Sequence, residues 1–154
     1  DSIEFLGFNE LLSNPRLRGT KAGKFSNYLL GICYYNLAKL TENTDTKNDY
    51  YSKAIDSFDN FKSKNKSFNS RIRENIGDVF SELGQAEIAF EYYQEALENE
   101  NHISKIYLLK KAAQIAKKIG KKDLALDYYQ QIKNDFPNSR SAKDIDKYIN
   151  EVSN

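Results

Sequence analysis

The sequence has no methionine, one cysteine, one histidine, two prolines and seven glycines in 154 residues, and each scarcity closes off a class of protein. A lone Cys33 excludes an internal disulfide and leaves the redox compartment open. With His102 as the sole imidazole, a metal site built on His and Cys lacks ligands and any His-dependent triad has a single base to draw on. So little Gly and Pro argues against collagen-like repeats, disorder and a turn-rich β protein. An excess of charge of either sign is also missing. The formal net charge is +1, so no global field draws the chain to nucleic acid or to an anionic membrane, and no nucleic-acid partner is expected. No run approaches the roughly 18 apolar residues that cross a bilayer, and no basic-then-apolar signal region opens the chain. Because the sequence starts at Asp1 without a Met, an initiator and an upstream segment holding an address are expected ahead of it.

What is present favours helices. Hydrophobic residues make up 40% and charged residues 29%, and a chain of this length can bury about 68–70% of its unfolded surface in one core. The chain also matches itself. Gly77, Gly84, Ala89, Tyr93 and Ala96 recur 36 positions later as Ala113, Gly120, Ala125, Tyr129 and Ile132. An earlier copy runs Leu30-Gly31-Ile32-Cys33-Tyr34, then Ala54, Phe58 and Phe61, with Ala54 lying 35 positions before Ala89. Self-similarity at this period marks helical hairpins that cannot bury their apolar faces alone.

This pattern resembles the tetratricopeptide repeat family. Gly31 with Tyr34, and Gly77 with Phe80, match its first helix; Ala89-Tyr93-Ala96 and Ala125-Tyr129 match its second, and Pro137 ends the third unit in register. The resemblance implies an all-α fold, a right-handed superhelical stack of about three hairpins with a C-terminal capping helix. In it, small residues let the two helices of a hairpin approach, the aromatic fills the gap between hairpins, and Gly84 and Gly120 end helices in left-handed turns. We expect a single domain over 1–154: an N-terminal segment 1–19, repeats at 20–62, 68–98 and 103–137, and a capping helix in 138–154. The helices are expected at about 20–40, 48–62, 68–83, 86–98, 103–119, 122–134 and 139–151, with the polar stretch Thr41–Asn48 as a long loop. Ala142, Ile145, Ile149 and Val152 form the apolar stripe of the last helix, with Asn138 and Ser139 as caps. Ile3, Phe5, Leu6, Phe8, Leu11 and Leu12 either seal the first hairpin or belong to a truncated preceding helix.

Two stretches carry a closer likeness: Gly19-Thr20-Lys21-Ala22-Gly23 leading into Tyr28–Ile32, and Phe136-Pro137-Asn138-Ser139 leading into Ile145–Ile149. They are similar to the membrane-anchored tetratricopeptide proteins of Bacteroidetes-type bacteria, which in turn resemble the ancillary translocon subunit family. That likeness implies a cell-envelope protein. Its repeats would face the periplasm, anchored in the inner membrane through residues absent from this chain, and would handle exported polypeptides; a cytoplasmic location is the alternative.

In the family the first helix of each hairpin lines a concave face. Its exposed positions lie three before, one after and four after the small residue. Counted from Gly31, Gly77 and Ala113, these are Tyr28, Ile32 and Tyr35, then Glu74, Asp78 and Ser81, then Lys110, Gln114 and Lys117, with Phe25 and Tyr107 one turn earlier. Such a face suits a peptide with apolar and charged anchors. Alternatively, Phe25, Tyr28 and Tyr35 are core residues covered by the N-terminal segment. The positions that hold a C-terminal carboxylate in chaperone-binding relatives are here Tyr28, Ile32, Asn75, Tyr107 and Lys111, which argues against that clamp. Acids run from Glu74 to Glu100 without Lys or Arg, and lysines from Lys105 to Lys122 without acids. Stacking should bring Glu74 and Asp78 near Lys110 and Lys117 as exposed pairs that set register between repeats, each worth about 0–1 kcal/mol.

No motif of catalysis is present: there is no phosphate-cradling glycine loop, no Gly-x-Ser-x-Gly and no His-Glu-x-x-His. Asp144 and Asp146 are expected on a solvated helix face, His102 in a connection, and Cys33 as a buried packing residue. The expected function is therefore a non-catalytic interaction module without cofactor or metal, taking a protein or peptide partner. It would be an envelope adaptor or chaperone-like accessory. The alternative is a structural subunit, docked permanently in a larger assembly or self-associating, and the sequence leaves the oligomeric state open.

Overall fold

A computed structural model describes residues 7, 8, 10, 12–61, 63–99 and 104–153. Among these there is no strand, and the chain is an all-α helical repeat. Seven helices have their bounds among the described residues: α1 (Lys21–Leu40), α2 (Thr44–Asn60), α3 (Lys66–Glu82), α4 (Ala86–Leu97), α5 (Lys105–Lys118), α6 (Lys122–Asp135) and α7 (Arg140–Ser153). They fall into two compact units, Asp1–Asn65 and Lys66–Asn154.

The first unit is the hairpin α1–α2. The Thr20 side chain caps α1 by accepting from the Gly23 amide at 3.1 Å. The helix ends at Thr41, whose extended backbone turns the chain away while its hydroxyl donates to the Leu37 carbonyl at 2.7 Å. Here the expected long loop over Thr41–Asn48 gives way to a connection of Thr41–Asn43, with α2 starting at Thr44. The reason is local. Asn43 Oδ1 accepts the Thr46 amide at 2.9 Å, and Asp45 lies in the first turn, where a negative charge favours the helix N-terminus. Polar residues that read as loop are thus a cap and a first turn.

Along α2, Tyr51, Ala54 and Phe58 are buried at steps of three and four, against a face of α1 that carries Leu30, Gly31 and Ala38. Gly31 is the point of closest approach, because any Cβ there would collide with the Phe58 ring. Cys33, expected to be buried, sits at the edge of this stripe and is half-buried. Of the N-terminal apolar cluster, Phe8 and Leu12 are half-buried; Ile3, Phe5, Leu6 and Leu11 lie outside the described residues.

The second unit packs α3 on α4, α5 on α4 and α6, and α7 on α6. Gly84 (φ 75°) and Gly120 (φ 79°) adopt the left-handed conformation that stops α3 and α5. Each is followed by the same closing bond, Gln85 N to Phe80 O at 2.9 Å and Lys121 N to Ala116 O at 2.8 Å, which satisfies a last-turn carbonyl and sets the next helix antiparallel. The repeat signature is the core. Ala89, Tyr93 and Ala96 of α4 and Ala125, Tyr129 and Ile132 of α6 are at most 2% exposed. Opposite them, Ala112, Ala113 and Ala116 give α5 a small-residue face with no exposure at all.

The aromatic of the signature was expected between hairpins. It also works within one: a Cβ on Gly77 would meet the Tyr93 ring at 2.6 Å, so α3 and α4 owe their separation to that glycine. Finally, Ser139 Oγ accepts the Ala142 amide at 3.0 Å and starts α7, whose Ala142, Ile145 and Val152 are buried and whose Ile149 is half-buried. This is the expected capping helix.

Candidate functional site

Helices α3, α5 and α7 are the first helices of successive hairpin positions in the second unit, and side chains link them in order. Between α3 and α5, the Lys111 ammonium donates to Glu74 Oε1 at 2.8 Å and to Asp78 Oδ2 at 2.7 Å. An Arg71 guanidinium nitrogen donates to the other Glu74 oxygen at 3.2 Å and to Ser104 Oγ at 2.6 Å. The Tyr93 hydroxyl reaches in from α4 and donates to Asp78 Oδ1 at 2.8 Å. Two carboxylates therefore meet two cations, so the cluster is close to neutral as a whole.

This cluster departs from expectation in two respects. The pairing cation is Lys111, not Lys110 or Lys117, because successive residues on a helix are turned by about 100° and only Lys111 faces α3. Lys110 and Lys117 turn instead toward α7, Lys110 lying 5.0 Å over the Tyr148 ring and Lys117 pairing with Glu151 at 3.4 Å. Nor are the acids exposed: the Glu74 side chain is 3% exposed and that of Asp78 20%. Burial pushes the Asp78 carboxyl above the usual carboxylate range, a shift that Lys111 and the Tyr93 hydroxyl oppose and Glu74 reinforces.

The remaining candidates divide by unit. In the first, Phe25 is exposed while Tyr28, Ile32 and Tyr35 are half-buried. Tyr28 lies 6.0 Å from the Phe61 ring and 6.2 Å from that of Phe58, Phe25 lies 5.5 Å from Tyr28, and Tyr35 lies 6.2 Å from Tyr51. These aromatics thus pack on the partner helix α2. In the second unit, Ser81 and Lys110 are half-buried, Gln114 and Lys117 are exposed, and Tyr107 keeps 67% of its surface in solvent. Tyr107, Gln114 and Lys117 form an outward stripe along α5 at steps of seven and three.

Asp144 and Asp146 are exposed, and Asp146 accepts from Lys133 at 2.7 Å. His102 lies outside the described residues. No cluster of three metal-ligating side chains occurs among the described residues, and no described helix is long and apolar enough to cross a membrane. The sequence reading names Lys111 only as a clamp position and not as the cation pairing with Glu74 and Asp78, because it sits at the position equivalent to Asn75, beside the expected face. The available signal was Glu74 and Asp78 at i and i+4, spaced to be bridged by one long cation.

Comparison with known proteins adds one match. Residues 108–139 fit the family model described as Tetratricopeptide repeat, a stretch that begins on α5, covers α6 and ends at the Ser139 cap of α7. Repeats of this kind generally mediate protein–protein interaction and form a non-catalytic fold. No curated protein matches the chain.

Proposed function

We propose that the chain is a non-catalytic module that binds a polypeptide on the outward face of its first helices, with α5 as the central contact. The observation that carries this reading is Tyr107. A side chain so large and so exposed has no part in the core, and it stands on a helix packed against α4 and α6 and tied to α3 by the Lys111 cluster. Exposed aromatics on a rigid support give contact area at low entropic cost, which is what a binding surface needs.

Extending the reading, the module serves as an adaptor or chaperone-like accessory of protein export. In that role it is tethered in the cell envelope with its repeats facing the periplasm. This part rests on the likeness of the Gly19–Ile32 and Phe136–Ile149 stretches to anchored envelope proteins. A photo-crosslinking residue at Tyr107, with Glu87 on α4 as the control position, tests the surface in living cells. Adducts confined to Tyr107 are expected, and equal adducts at both positions or none at either would refute it. Protease shaving of spheroplasts tests the location: digestion of the repeats is expected, and protection would place them in the cytoplasm.

A further inference from the structure

The charges on the three first helices of the second unit are unevenly distributed. Helix α3 carries three cations, Lys66, Arg71 and Arg73, and three acids, Glu74, Asp78 and Glu82. Helix α7 carries Arg140, Lys143 and Lys147 against Asp144, Asp146 and Glu151. Both are neutral in sum. Helix α5, between them, carries Lys105, Lys110, Lys111, Lys117 and Lys118 and no acid.

Internal contacts do not cancel this excess. Lys111 is held by Glu74 and Asp78, and those carboxylates are occupied in turn by Arg71 and the Tyr93 hydroxyl, so they offer nothing further to the stripe. Lys110 meets the face of Tyr148, and its ammonium has no carboxylate partner among the described residues. Lys117 meets Glu151 at 3.4 Å with both side chains more than 40% exposed, a pair that a competing acid can displace. Lys118 is exposed and has no partner among the described residues. The acids of α4 do not reach across: Glu95 pairs with Arg73 of α3, and no α4 carboxylate pairs with an α5 lysine among the described residues.

We infer that the outward face of α5 takes an acidic polypeptide segment bearing an aromatic or large apolar residue. The apolar side chain packs on Tyr107, and carboxylates approach Lys110, Lys117 and Lys118. This rests on the polypeptide-binding reading and adds the chemistry of the partner. Charge complementarity selects the occupant: a lysine stripe flanked by helices of zero net charge repels basic segments and leaves neutral ones with Tyr107 alone. A single-stranded nucleic acid could also meet the lysines and stack a base on Tyr107, but the chain's net charge of +1 supplies no general field to draw a polyanion, so the acidic peptide is the favoured occupant.

Fluorescence anisotropy on the full chain tests this with a labelled peptide alternating Glu and Phe, its Gln-for-Glu and Lys-for-Glu versions, and a single-stranded oligonucleotide. The Glu peptide is expected to bind about tenfold tighter than the Gln peptide at low salt, since contacts to the exposed Lys117 and Lys118 and the half-buried Lys110 each contribute a factor of a few. The Lys peptide should be weakest. High salt should erase the difference, as should the surface variant Lys117→Glu/Lys118→Glu, whose fold is checked by circular dichroism. Equal binding of Glu and Gln peptides that is lost in Tyr107→Ala would overturn the acidic preference and leave polypeptide binding standing. No binding by any peptide would overturn both, and an oligonucleotide binding as tightly as the Glu peptide would overturn the choice of partner.

Discussion

Replacing Lys111 by Met keeps most of the stem and removes the ammonium that lies 2.8 Å from Glu74 and 2.7 Å from Asp78. Breaking a buried pair by deleting one partner costs about 3–5 kcal/mol when the abandoned charge has nowhere to turn. Here the cost is reduced on both sides. Glu74 keeps Arg71 at 3.2 Å, Asp78 keeps the Tyr93 hydroxyl at 2.8 Å, and the Asp78 side chain is 20% exposed and reachable by water. About 2–3 kcal/mol is therefore expected, or a fall in Tm of roughly 5–10 °C for a chain of this size. The comparison variant is Lys117→Met, whose pair is exposed on both sides and should cost about 0–1 kcal/mol. Urea unfolding followed by far-UV circular dichroism and tyrosine fluorescence measures both, the protein having eleven Tyr and no Trp. If Lys111→Met costs no more than Lys117→Met, the cluster does not hold α5 on α3 and the argument fails. As an internal check, Glu74→Gln combined with Lys111→Met should cost less than the sum of the single changes by more than about 0.5 kcal/mol.

Other expectations follow from single contacts. Gly77→Ala gains about 0.5–1 kcal/mol of helix propensity but drives a methyl into the Tyr93 ring, and overpacking of about 1–3 kcal/mol wins; a urea midpoint at or above the wild-type value would contradict this. Asp78 has a folded pKa raised above its unfolded value, so the folded state binds the proton more readily. Wild type should then gain stability relative to Asp78→Asn as the pH falls from 7 through the folded pKa towards the ordinary value of about 3.9, and a flat or opposite difference in urea midpoints refutes the assignment. Burial, with Tyr148 and Glu151 adding to it, likewise pushes the Tyr129 hydroxyl up. Stability should fall as the pH rises above about 10, and Tyr129→Phe, which keeps the ring stacked on Tyr148 at 5.6 Å, should lose less over the same range in an alkaline titration of Tm.

Much of the architecture could be read from residue order because it is local. Gly84 and Gly120 lie at helix ends whichever helices surround them, since the left-handed turn they adopt strains any residue with a Cβ. The Ala89-Tyr93-Ala96 and Ala125-Tyr129-Ile132 steps identify the buried faces of α4 and α6 by helical periodicity alone, and Ser139 announces α7. Where the reading went astray, a polar residue had two local uses. Asn43 and Asp45 serve a loop or a helix start equally well in composition, and the Asn43 side chain closing on the Thr46 amide chose the helix.

The candidate site was legible only as a set of positions on first helices. Sequence spacing places Glu74 and Asp78 about one turn apart on α3, and Lys110, Lys111 and Lys117 within about two turns on α5, but it does not say how α5 is rotated about its axis against α3 and α7. That rotation is set by packing of the Ala112, Ala113 and Ala116 face, and it decides which lysine is buried against acids and which two turn to α7. From residue order alone came the helices, most of their ends, the repeat and the apolar stripes, because these follow from patterns and contacts a few residues apart in sequence. The tertiary structure alone decided which charges are paired inside the protein and which face solvent, because a few tens of degrees of helix rotation carry a side chain from a neighbour's carboxylate into solvent.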